Sequence, residues 1–147
     1  MENSLHYRLM VTQSVFRREI LAEIARTCPD LLPGQPKVID FLMDTPKAIQ
    51  CDIARACMIE PPTLTHILSK MEASGLIQRS RNKANRRQVA VSLTSKGIQT
   101  GQKVRQAFLI VEARALQGIE KKEADLLTPL LRQLENNLAQ EHDHAQD

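Results

Sequence analysis

A chain of 147 residues is long enough for one domain with its own core and short for two; a domain of this size buries about two thirds of its unfolded surface. Its composition, 42% hydrophobic and 25% charged, is ordinary for a soluble globular protein, and its apolar runs fall far short of the roughly 20 residues that span a bilayer. The net charge of +3 conceals an asymmetry: Ala73 to Val111 contains no Asp or Glu but holds Arg79, Arg81, Lys83, Arg86, Arg87, Lys96, Lys103 and Arg105, whereas acids dominate after Gln117, so a polyanion is drawn to the middle of the chain.

Leu5, Leu9, Phe16, Ile20 and Ile24 recur at helical spacing from near Ser4. Pro29 forces its predecessor out of helical geometry, so this long helix ends around Cys28. Asp30 to Gly34 is a loop. A short helix follows from Gln35 to about Met43, with Pro36 in its first turn and Val38, Ile39, Phe41 and Leu42 facing inward. Thr45-Pro46 either caps the next helix or forms a turn shortly before it; that helix runs to about Cys57, with Ile49, Ile53, Ala56 and Cys57 as its buried stripe.

After the short connection Met58-Ile59-Glu60, Pro61 or Pro62 opens another helix and Gly75 suits its left-handed stop. Leu64, Ile67, Leu68 and Met71 form the apolar stripe of this helix. The opposite side shows Thr63, Thr65, His66, Ser69 and Lys70, hydrogen-bonding side chains without a carboxylate, which is the surface a helix needs to enter a DNA groove. Two short helices joined by a tight turn describe a helix-turn-helix.

Leu76 and Ile77 begin a strand, and Val89, Val91 and Leu93 alternate with polar or small residues in a second. Between them Arg81-Asn-Lys-Ala-Asn-Arg86 forms a basic loop, the tip of a wing. Thr94-Ser95-Lys96-Gly97 caps a long helix whose stripe is Ile98, Gly101, Val104, Phe108, Val111, Ala115 and Ile119. Leu126, Leu127, Leu130, Leu131, Leu134 and Leu138 mark a last helix, which either kinks at Pro129 or starts late with Thr128 as its cap. The expected fold is mainly α with a small β-hairpin: a winged helix-turn-helix lobe over residues 35–97, flanked by helices at 4–28 and 98–142 that pair two copies into a dimer.

Enzyme chemistry finds no support in the motifs. The five glycines form no phosphate loop and the four histidines no H-E-x-x-H. His142-Asp143-His144 reads as a solvated acidic tail rather than a metal site. Neither a metal nor another cofactor is expected. Tyr7, Phe16, Phe41 and Phe108 all lie outside the basic hairpin, so single-strand binding by base stacking fits less well than duplex DNA. The first residues lack a basic and an apolar signal region, and the three cysteines match no zinc or C-x-x-C spacing, so a reducing, cytoplasmic setting is the simplest fit. Cys51 and Cys57 read as buried, inert thiols. Cys28, at the end of the first helix, is the candidate redox thiol, although a helix C-terminus disfavours thiolate.

The stretch I-Q-C-D-I-A-R-A-C-M-I-E-P-P-T-L-T-H-I-L-S-K-M-E-A-S-G-L-I-Q-R-S, followed by N-R-R-Q-V-A-V-S-L-T-S-K-G, resembles the MarR family of winged-helix transcriptional regulators over residues 49–97. The resemblance implies that Pro62, Thr63, Thr65 and His66 face base edges in the major groove, with Ser69 and Lys70 nearer the phosphates. It implies too that Arg87 reaches the minor groove, with Arg86 and Lys83 near the backbone. A homodimer on a pseudo-palindromic DNA site follows, typically a repressor released by a small-molecule or oxidant signal, its pocket lying between the dimerisation helices and the winged lobe with Tyr7, Arg17, Phe41 and Phe108 as candidate lining.

Three departures from the family pattern stand out. Asn82 and Asn85 replace wing acids and Ala84 an arginine; Met58 replaces a frequent glycine, so that its turn is strained or differently shaped; and His66 replaces an arginine that can grip guanine with two bonds. The altered wing and Met58 leave one alternative, a winged-helix protein-interaction module that no longer binds DNA.

Overall fold

The computed structural model describes residues 2–81 and 89–143, with side chains as far as 139. The order is α1 (Leu5–Thr27), α2 (Gln35–Asp44), β1 (Ala48–Ile49), α3 (Gln50–Cys57), α4 (Pro61–Ala73), β2 (Ile77–Arg81), β3 (Val89–Leu93), α5 (Ser95–Ala115) and α6 (Lys121–Asp143). The chain divides into two compact units, Met1–Val111 and Glu112–Asp147.

In the first unit, Val38, Ile39 and Leu42 of α2, Ile53 and Cys57 of α3, and Leu64, Ile67, Leu68 and Met71 of α4 form one buried cluster, closed on the sheet side by Ala48, Ile77 and Val91. All four apolar positions expected of α4 are buried. Phe41 packs against the cluster only partly. Of the stripe expected in α3, Ala56 is exposed, while Ala54 is half-buried against this core. The reason is β1, a two-residue strand that the Thr45-Pro46 turn delivers: Ala48 pairs with Val91 and Ile49 with Ala90 in an antiparallel sheet of order β1-β3-β2. The helix therefore starts at Gln50, and its inward side is set from there. β2 and β3 pair from Ile77 opposite Leu93 to Arg81 opposite Val89.

A second cluster joins Ile24 and Cys28 at the end of α1 to Val104 and Ala107 of α5, with Phe108 packed against it. The inward side of α5 is Gly97, Gly101, Val104, Ala107 and Val111; Ile98 is exposed, and so is Ala115. Glycine makes this approach possible. A Cβ at Gly101 would lie 2.5 Å from Met43 Sδ and 3.1 Å from Ile39 Cγ2, so α5 rests almost directly on α2. Arg105 adds an ionic clamp there, its Nε 2.8 Å from Asp40 Oδ1 and its Nη2 2.7 Å from Asp44 Oδ1, and the two carboxylate hydrogen bonds hold its pKa above the ordinary value.

The second unit carries the end of α5, a turn through Gly118 at φ +81°, and α6. Glu120 N–H donates to Glu123 Oε2 at 3.3 Å, one half of a capping box, so α6 starts at Lys121, and the helix continues past Pro129. Leu126, Leu127, Leu130, Leu131 and Leu138 are exposed along it, and Leu134 is half-buried. Among the described residues, no helix is long and apolar enough to cross a membrane.

Candidate nucleic-acid interface

α3 and α4 meet through a tight turn. Ile59 N–H bonds back to Ala54 O at 3.0 Å and Met58 N–H to Arg55 O at 3.2 Å, while Met58 itself takes the left-handed conformation, φ 51° and ψ 49°. Glycine is the usual occupant of such a stop. The turn therefore keeps its shape with a side chain in a strained region of backbone space, and that side chain is 90% exposed.

α4 opens with Pro61 and Pro62, which lack N–H groups that the first turn could not satisfy anyway. Its apolar side is locked into the core, so Thr63, Thr65, His66, Ser69 and Lys70 are exposed along the opposite side, as their spacing predicts, and Pro62 is exposed as well. The other end of α4 is held with equal care. Gly75 takes φ +72°, Thr94 Oγ1 donates to Gly75 O at 2.6 Å, Lys96 Nζ donates to Ser74 O at 2.7 Å, and Gly97 N–H donates to Thr94 Oγ1 at 3.1 Å. One threonine thus caps α5 and fastens the end of α4. Gly97 has to be glycine, because a Cβ there would collide with the Leu76 carbonyl oxygen.

Sequence reasoning missed one member of this surface. Gln50, the first residue of α3, donates from Nε2 to Thr65 Oγ1 at 2.6 Å, and Thr65 Oγ1 donates to Pro61 O at 3.0 Å. The signal available was its position at the head of Q-C-D-I-A. Arg79 on β2 sits 3.5 Å from Glu72 at the end of α4, and an open cleft of about 700 Å³ between the start of α3 and the hairpin is lined by Gln50, Cys51, Arg79 and Arg81. Lys83, Arg86 and Arg87, together with the substituted Asn82, Ala84 and Asn85, lie outside the described residues, as does His144 of the terminal acidic tail.

Of the two cysteines expected to be buried, one is and one is not. Cys51, expected to be buried, is exposed, because the second position of a helix starting at Gln50 points outward. Cys57 is buried, with Sγ 3.6 Å from Lys37 O, and burial pushes its thiol pKa up, Lys37 opposing and Asp40 adding to the shift. Cys28 is buried against the α1–α5 cluster. A second cavity, of about 310 Å³, lies where the end of α1 and the following loop face the start of α5, lined by Thr27, Cys28, Asp30, Ser74, Lys96 and Lys103 among others. None of the four residues expected to line a pocket takes part: Tyr7 is half-buried, Arg17 is exposed, and Phe41 and Phe108 pack on the two core clusters. Among the described residues no group of three metal-ligating side chains gathers.

An exposed, carboxylate-free helix side standing on a tight helical turn, with a hairpin beside it, defines a winged helix-turn-helix protein. Residues 33–89 match the model of the MarR family. Among solved structures, the chain is similar to the transcriptional repressor CouR bound to a 23-mer DNA duplex, at 26% identity and TM-score 0.81 over 90% of this chain and 93% of that one. It shares its fold with BpsR of Bordetella bronchiseptica, studied for the regulation of its DNA binding by 6-hydroxynicotinic acid, at 22% identity and TM-score 0.71 over 87% and 98% of the two chains. It likewise shares its fold with NadR in complex with 4-hydroxyphenylacetate, at 21% identity and TM-score 0.76 over 89% and 92%. Residues 33–89 thus carry the MarR-family match within a chain whose fold, over most of its length, is that of winged-helix transcriptional regulators.

Proposed function

We propose that this protein is a cytoplasmic, homodimeric repressor that reads a pseudo-palindromic duplex with the two copies of α4 and is released by a small molecule. The observation that carries the reading is the exposed side of α4: six exposed residues without a carboxylate, on a helix fixed at both ends by its own core. In this reading Pro62, Thr63, Thr65 and His66 meet base edges, Ser69 and Lys70 meet phosphates, and Arg87, Arg86 and Lys83 of the wing engage the minor groove and backbone. Residues 35–97 are the DNA-binding lobe, and the helices within 4–28 and 98–142 join two copies.

The effector is supported by the cavity beside Lys96 and Lys103, whose charges suit a small carboxylate, and by two structural neighbours described with hydroxylated aromatic acids. Lys96 also holds the end of α4, so a ligand that drew it away would act directly on the reading helix. The ligand must prefer one spacing of the two reading helices over the other to release DNA. Cys28, the thiol the sequence offered for an oxidant signal, is buried and does not support that route.

The test is the set of DNA fragments the protein retains from its own genome, followed by duplex titration. Arg87→Ala weakens binding to all sequences, while His66→Ala changes preference among them. Retention of no fragment contradicts the reading and favours a protein-interaction module. Equal loss on every sequence from the His66 change removes the base-reading role of that residue.

A further inference from the structure

We propose that Gln50 is a positioning residue for DNA specificity: it fixes the Thr65 hydroxyl as a pure hydrogen-bond acceptor, so that the pair selects a base carrying an exocyclic amino group. The proposal rests on the DNA-reading role of α4 and says what one part of that surface recognises.

The argument is one of counting. A threonine hydroxyl has a single hydrogen and two lone pairs. The acceptor one turn back, Pro61 O, is a carbonyl that cannot donate, so the 3.0 Å contact commits Thr65's hydrogen to it. Gln50 must then meet the hydroxyl with a donor, and its Nε2 does so at 2.6 Å, occupying one lone pair. This also fixes which way the amide is turned, since its oxygen facing the hydroxyl would leave two acceptors without a hydrogen between them. What Thr65 can still offer a ligand is one lone pair and a methyl group. In the major groove, adenine and cytosine present an amino donor, whereas guanine and thymine present only acceptor atoms to the same hydroxyl. An acceptor-only hydroxyl therefore favours adenine or cytosine opposite it.

The geometry places this unit on the exposed surface. Thr65 is exposed midway along the six reading positions, and Gln50 is half-buried between α3 and α4. Among the described residues the amide oxygen of Gln50 has no partner, so the amide is not part of a closed structural network. The remaining polar group is free to hold the DNA backbone or a water beside the base.

The experiment is selection from a randomised duplex library by the full-length protein and by Gln50→Leu, Thr65→Val and the double variant, each shown by circular dichroism to be folded. Leucine keeps the bulk of glutamine without its donor, and valine keeps the shape of threonine without its hydroxyl. The expected result is that Gln50→Leu lowers discrimination for adenine or cytosine about tenfold at one base pair of each half-site. Thr65→Val lowers it at the same base pair, and the double variant is no worse than Thr65→Val alone. Unchanged preference in Gln50→Leu, or losses at different base pairs that multiply in the double variant, overturns the proposal. If the unmodified protein enriches no sequence, it is the DNA-reading role itself that fails.

Discussion

Met58 shows what a single residue costs in this fold. A non-glycine residue in the left-handed region carries a penalty of about 1–2 kcal/mol, and at 90% exposure the side chain recovers little of it by burial. Glycine would remove that strain while adding chain freedom to the unfolded state worth up to about 1 kcal/mol. Met58→Gly is accordingly expected to stabilise the protein by about 0.5–1 kcal/mol, read as a higher urea midpoint with an unchanged slope. The thiols give a second test. Cys51 is exposed whereas Cys28 and Cys57 are buried, so one thiol is expected to react with a disulfide reagent in the native protein, and the Cys51→Ser variant to show none until it unfolds. Cys57 has its folded pKa raised, so its contribution to stability is complete below the ordinary thiol range and is lost as pH rises through it; near neutral pH it stays protonated and inert. The exposure of Cys51 was not legible in sequence, because it depends on β1 ending at Ile49 and so on which residue starts α3.

At the scale of elements, apolar spacing located α4 completely: Leu64, Ile67, Leu68 and Met71 are buried, and its polar side follows from them. The same method reads α5 only in part. Gly101, Val104 and Val111 of its expected stripe are buried, but Gly97 and Ala107, which are too small to stand out in a hydrophobic pattern, complete the inward side in place of Ile98 and Ala115, which are exposed. Two residues of β1 were also invisible, since so short a strand has no period and exists only through its pairing with β3. The junction of α4 and α5 depends on close approach, so Gly97→Ala is expected to destabilise the protein by about 2 kcal/mol or more, as overpacking against backbone does. The measurement is denaturant unfolding. Because the Thr94 and Lys96 bonds anchor α4 at the same place, DNA affinity should fall in Gly97→Ala even where the protein remains folded.

For the whole molecule, the exposed apolar side chains are the observation behind the proposed dimer. Leu5, Leu9 and Met10 on α1, and Leu126, Leu127, Leu130 and Leu131 on α6, are each at least 40% exposed in the single chain. Each leucine is worth about 1.5–3 kcal/mol when fully buried, so a second copy covering these surfaces is the economical reading, and the sequence already carried it in stripes that no neighbouring segment required. Sedimentation is expected to show a dimer, and Leu127→Glu with Leu131→Glu to shift it to monomer; a stable monomer of the unmodified chain contradicts the dimer. The DNA-binding claim is tested most directly by titrating the protein with a retained duplex at about 50 and 200 mM salt. Binding through the basic middle of the chain releases counterions, and a dimer making six or more phosphate contacts is expected to lose on the order of a thousandfold in affinity across that range. An affinity that hardly changes with salt would contradict the account.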